Sequence, residues 1–193
     1  KGISALPKSE RMYAVIDSTA TTTGGLTYSL DLERDSSQFA KITDASQIGL
    51  DIASELTLEA WVKVESAPAT DAFYGILGKY DTNGNNRQYE FGYDNYNGAL
   101  SLYIVISESG TGADQFTERN TNLGTGTWHH VAVTLSKSNN RIRFYVDGTQ
   151  IGTDATVDIA EINNLAADFT AGLAEISSTR YFDCKESLAR VWN

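Results

Sequence analysis

The strongest constraint on this chain is a two-residue hydrophobic period, interrupted at short intervals by dipeptides that suit tight turns. In Thr57-Leu58-Glu59-Ala60-Trp61-Val62-Lys63-Val64, one strand face holds Leu58, Ala60, Val62 and Val64. The other face holds Thr57, Glu59, Trp61 and Lys63. Arg141–Val146 repeats the device, with Ile142, Phe144 and Val146 set against Arg143 and Tyr145. His129, Val131, Val133 and Leu135 make a third such face, and Leu100, Leu102, Ile104 and Ile106 a fourth. Extended backbone sends successive side chains to opposite sides, so each run predicts a strand with one buried and one wet face.

The turn chemistry falls between these runs. Asn83-Gly84 parts Ile76–Tyr80 from Gln88–Tyr93, and Asn97-Gly98 parts that run from Ala99–Tyr103. Asn139-Asn140 precedes Arg141–Val146, and Asp147-Gly148 follows it. Asn, Asp and Gly tolerate the positive φ that short hairpin loops demand, which predicts antiparallel neighbours. A single stretch, Asp158–Ala167, spaces Ile159, Ile162 and Leu165 at helical intervals and predicts a short helical turn. The expected fold class is all-β, a sandwich or barrel of antiparallel strands.

Composition narrows the function. Fifteen Lys and Arg against 25 Asp and Glu leave a net charge of −10, the wrong sign for a nucleic-acid partner. No apolar run approaches the roughly 20 residues of a spanning helix, so no membrane insertion is expected. Cys184 stands alone, which excludes an intrachain disulfide and a Cys-rich zinc site. Its setting before Lys185 reads as polar. At 193 residues the chain suits one domain. Residues 1–27 read as a leader: a first strand or a floppy segment at Arg11–Ile16, then the Thr/Gly-rich loop Asp17–Gly25. Residues 28–193 read as the domain, and its close at Arg190-Val191-Trp192-Asn193 as a boundary within a larger parent.

Four stretches carry a resemblance: Tyr28–Leu32, Leu56–Lys63, Gly126–Thr134 and Phe144–Gly148, closed by Ala189–Asn193. In order and spacing they resemble laminin G-like and pentraxin-like domains of the concanavalin A-like lectin/glucanase superfamily. The resemblance implies a jelly-roll sandwich of two antiparallel sheets. It also implies a non-catalytic, carbohydrate-binding module, acting through rim loops or a sheet face, in a larger extracellular, cell-surface or virion-surface protein. Its ligand would be a glycan or a protein, often with Ca²⁺; a protein-interaction or assembly domain is the alternative. Glucanases of the superfamily carry paired glutamates on one strand, and this chain has no such cluster. Asp31, Glu33 and Asp35 come nearest and read as a solvated strand face. Near the end, the chain has Cys184 and then Glu186-Ser187-Leu188 where relatives carry Gly and then an apolar-Asp-Glu step.

Candidate residues follow from chemistry. Sugar binding needs an exposed aromatic face flanked by polar side chains. Asp94-Asn95-Tyr96 places an aromatic in a polar turn, and Tyr80 and Arg87, with Tyr74, lie in neighbouring segments. Asp81, Asn83 and Asn85 alternate in the hairpin loop as candidate oxygen ligands for Ca²⁺, with Glu175 or Asp183 needed to complete the set. Plain turn chemistry explains the same loop. His129 and His130 read as structural strand residues, and Trp61, Trp128 and Trp192 as packing residues.

Overall fold

The computed structural model describes residues 12–16, 29–176 and 178–193. The Thr/Gly-rich loop lies outside these described residues. In chain order the strands are β1 (Met12–Ile16), β2 (Leu30–Leu32), β3 (Ala40–Ile42), β4 (Glu55–Val64) and β5 (Phe73–Asp81). They continue as β6 (Asn86–Tyr96), β7 (Ala99–Ile106), β8 (Gln115–Asn120), β9 (Trp128–Ser136) and β10 (Arg141–Val146). The last are β11 (Thr149–Ala155), β12 (Phe169–Ala171), β13 (Leu173–Ala174), β14 (Arg180–Tyr181) and β15 (Cys184–Trp192).

Among the described residues these strands form a seven-stranded sheet, β1-β15-β4-β9-β10-β11 with β2 also on β15, a six-stranded sheet, β3-β12-β5-β6-β7-β8, and a two-stranded sheet, β13-β14. Every pairing is antiparallel. The fold is a jelly-roll sandwich, as the alternation and the resemblance predict. No helix among the described residues is long and apolar enough to cross a membrane.

The core is the seam between the inner faces. Leu58, Ala60 and Val62 of β4, Val131 and Val133 of β9, and Ile142 and Phe144 of β10 are fully buried. They share one apolar cluster with Phe91 and Tyr93 of β6 and Leu102, Ile104 and Ile106 of β7. Each Val, Leu, Ile or Phe side chain so buried stabilises the fold by about 1.5–3 kcal/mol. The hairpins close where the turn dipeptides stand. Asn85, Asn97, Asn140 and Asp147 all adopt positive φ, at 61°, 51°, 53° and 50°.

Three expectations are corrected. Asp158–Ala167 is not helical. Side chains from elsewhere capture its amides: Gln115 Oε1 accepts from Asp158 N–H, and Glu108 Oε2 from Ala160 N–H. Ile159 and Ile162 still bury, so the apolar spacing records a chain draped over the core. Helical geometry is found instead in two single 3₁₀ turns, Arg34–Ser36 and Asp44–Ser46. Cys184 is not in a polar setting. It is fully buried in the core opposite Val64, and burial pushes its thiol well up. Finally, β7 buries both faces, since Ser101, Tyr103 and Val105 are as enclosed as their apolar neighbours. Tyr103 and Val105 belong to a second apolar cluster, on the far side of the sheet.

Candidate functional site

That second cluster begins with two glycines. Gly75 of β5 and Gly92 of β6 are cross-strand partners on the outer face of the six-stranded sheet. A Cβ on Gly92 would meet the Tyr103 ring at 2.5 Å, and one on Gly75 would meet the Leu173–Ala174 backbone at 2.5 Å. The missing side chains let the Tyr103 ring and β13 lie close against the sheet.

Aromatic rings then tile the face. Phe73 is the hub, with ring centroids 5.6 Å from Tyr103, 5.8 Å from Tyr96 and 6.0 Å from Phe116. Phe116 stacks on Tyr103 at 5.7 Å. These spacings suit edge-to-face and offset ring packing. Tyr96 and Phe116 nevertheless stay 45% and 43% exposed, and Ile48 is the other large hydrophobic that exposed among the described residues. Together with Tyr80, Thr82, Arg87, Glu90, Glu175 and Arg180, the rings line a cleft of about 530 Å³.

Two glutamates and two arginines set the polar chemistry of the cleft. Glu90 is buried at its floor, where Tyr103 Oη donates to Oε1 at 2.6 Å and Glu175 N–H donates to Oε2 at 2.6 Å. Burial outweighs these donors and the Arg180 charge, pushing Glu90 up to about 7. Glu175, at φ 57°, pairs with Arg180 at 2.7 Å, and the Arg180 guanidinium sits 5.6 Å from the Phe73 ring centre. Arg87 stands over Tyr80 at 6.0 Å and donates from Nη1 to Thr111 O at 2.6 Å. Burial, together with Glu90, raises the Tyr80 phenol to about 12, so it stays protonated.

The structure brings Tyr80, Arg87 and Tyr96 together around this cleft. Asp94 and Asn95 lie elsewhere. Asp94 is fully buried outside the lining. Burial and the neighbouring Glu118 charge raise it to about 7. Asn95 Nδ2 donates to Pro68 O at 2.9 Å and pins the preceding loop. Tyr74 faces the core and stacks on Phe182. Sequence reasoning missed Phe73, Tyr103, Phe116, Glu90 and Arg180. A signal existed for one of them: Tyr103 is an aromatic at a strand position opposite the apolar set Leu102, Ile104 and Ile106.

The hairpin Asp81–Asn85 directs its oxygens to its own turn. Asn83 N–H donates to Asp81 Oδ1 at 2.9 Å, and Asn85 Oδ1 accepts from Arg87 Nη1 at 3.2 Å. Glu175 is engaged with Arg180, and Asp183 accepts from Ser66 Oγ. Elsewhere, Asp31, Glu33 and Glu65 each bring a carboxylate oxygen within 4.8 Å of the others, a set that could hold a metal ion. Lys185 Nζ already pairs with Asp31 and lies 3.4 Å from Glu65.

A family model described as the concanavalin A-like lectin/glucanases superfamily matches residues 32–193. Comparison with curated proteins found no match. Among solved structures, the chain is similar to domain 4 of a GH43 extracellular arabinanase from Geobacillus stearothermophilus, in complex with arabinotriose. The TM-score is 0.61 at 16% identity, over 95% of this chain and 82% of that one. It is also similar to the CBM40 of a Ruminococcus gnavus IT-sialidase bound to α2,3-sialyllactose. That TM-score is 0.62 at 11% identity, over 86% of this chain and 89% of that one. A SAP-like pentraxin from Limulus polyphemus gives 0.53 at 18% identity, over 72% and 64%. At these identities the likeness is one of fold. The two-sheet sandwich and the match over 32–193 agree: the chain belongs to the concanavalin A-like lectin/glucanases superfamily.

Proposed function

We propose that this chain is a non-catalytic glycan-binding module, and that its ligand lies in the aromatic cleft of the six-stranded sheet. The observation that carries the reading is the pair of open rings, Tyr96 and Phe116, above a floor of Phe73 and Tyr103. The C–H face of a sugar stacks on such rings, while Thr82, Arg87 and Arg180 offer donors to its hydroxyls. A cleft of about 530 Å³ falls within the usual range for small ligands. Residues 28–193 would form the module, carried in a larger secreted or surface protein. The arabinanase neighbour is one numbered domain of an extracellular enzyme, which supports that setting.

A glycosidase needs an acid and a second carboxylate both presented to the ligand. Glu90 is spent on Tyr103 and the Glu175 amide, and Glu175 on Arg180, which favours binding without hydrolysis. A glycan array with and without chelator, followed by calorimetry on the hits, tests the proposal. Binding should survive the chelator. Tyr96→Ala should weaken it about tenfold, the loss of one stacked ring. A flat array, or full affinity in Tyr96→Ala, removes the reading. Release of reducing sugar that disappears in Glu90→Gln replaces it with a hydrolase.

A further inference from the structure

The charges of the cleft discriminate among glycans. Resting on the reading above, we infer that the ligand is an acidic glycan, a sugar bearing a carboxylate that is received by Arg87. Of the four charged residues that line the cleft, Arg87 alone has its charge unanswered by the described residues. Arg180 is neutralised by Glu175 at 2.7 Å. Glu90 lies beneath the rings with both oxygens accepting hydrogen bonds. Arg87 has no carboxylate within ion-pair distance among the described residues, although the chain carries a net charge of −10.

Arg87 is also held in place. Its Nη1 donates to Thr111 O at 2.6 Å, to Asn85 Oδ1 at 3.2 Å and to Gly110 O at 3.4 Å, while its plane rests over Tyr80. Every hydrogen bond of the guanidinium uses that one nitrogen, so Nε and Nη2 have no acceptor among the described residues, in a side chain that lines the cleft. Guanidinium donates in a rigid fork, and two parallel N–H bonds fit the planar edge of a carboxylate. A neutral hydroxyl would use one arm of the fork and leave the charge unanswered. The floor assists: with Glu90 held near 7, its negative charge is partly removed at neutral pH, which reduces repulsion of an anion above it.

Calorimetry on the whole chain tests this with paired probes: oligogalacturonate against its methyl ester, and α2,3-sialyllactose against lactose, with a sulfated oligosaccharide as a further arm. The two pairs separate a uronic from a sialic source of the carboxylate. At least one acid should bind tenfold or more tightly than its neutral partner. That advantage should disappear in Arg87→Lys, which keeps the charge but loses the fork, whereas Tyr96→Ala should weaken acid and neutral sugar alike. If Arg87→Lys melts early, the acid-against-ester comparison on the unaltered protein decides. Neutral sugars binding as well as acids, or a preference for the sulfated probe, overturns the inference and leaves glycan binding standing. Failure of every probe, neutral sugars included, counts against both.

Discussion

The outer faces of the two sheets are built from the same pleat and end in opposite chemical states. On the seven-stranded sheet, Glu59 Oε2 lies 3.0 Å from His130 Nε2, and Oε1 accepts from Trp192 Nε1 at 3.1 Å and Arg190 Nη1 at 3.2 Å. Trp61 packs 5.6 Å from the His130 ring across the same surface. These three partners answer the charge of Glu59, and the His130 bond first of all draws it down to about 2. On the six-stranded sheet, Glu90 is driven the other way, to about 7, because burial outweighs its donors. Two rings there keep an exposed face, and the Nε–Nη2 edge of Arg87 has no acceptor among the described residues. A self-satisfied face stabilises; a face with open donors and open rings is suited to a ligand.

The largest way to break this contrast is to fill the glycine gap. Gly92→Ala would drive a methyl into the Tyr103 ring and should cost about 2–3 kcal/mol in a urea titration. A loss below about 0.5 kcal/mol would show that the cleft floor does not depend on that gap. Next are two pH effects of similar size and opposite slope. A carboxylate lowered from 4.5 to about 2 stabilises the fold above pH 4.5 and loses that contribution as pH falls toward 2. Glu59→Gln should therefore cost about 2 kcal/mol at pH 7 and almost nothing near pH 2. Glu90 is raised from 4.5 to about 7, so the folded state holds its proton longer. Its contribution falls as pH rises from 4.5 to 7 and is flat above. A ¹³C titration of the Glu90 carboxyl should turn near pH 7; a midpoint below 5 contradicts its placement under the rings. The smallest effect concerns the inner faces that both sheets share. Cys184 should resist a thiol reagent until the protein unfolds, and Cys184→Ala should cost about 1 kcal/mol.

The sandwich was legible because its signals are local. Leu58, Ala60, Val62 and Val64 declare a strand within eight residues, and Asn97-Gly98 declares a hairpin within two. The cleft was legible only in part. Tyr96 stood out as an aromatic in a polar turn, but Gly75 and Gly92 acquire meaning only once the register sets them opposite each other. The partners of Glu90 lie 13 and 85 residues away in sequence, beyond any short motif. Asp94 and Tyr96 read alike in one tripeptide, yet one is buried and the other half exposed. The Trp residues stood in strand positions as expected, but Trp61, Trp128 and Trp192 are all partly exposed and outside the core.

An ¹⁵N-resolved titration with the tightest-binding glycan compares the two outer faces in a single experiment. Amide shifts should cluster at Arg87, Tyr96, Tyr103, Phe116 and Arg180, with Glu59, Trp61 and His130 unmoved. Shifts centred on Trp61, His130 and Trp192 would place the ligand on the opposite sheet and contradict the account.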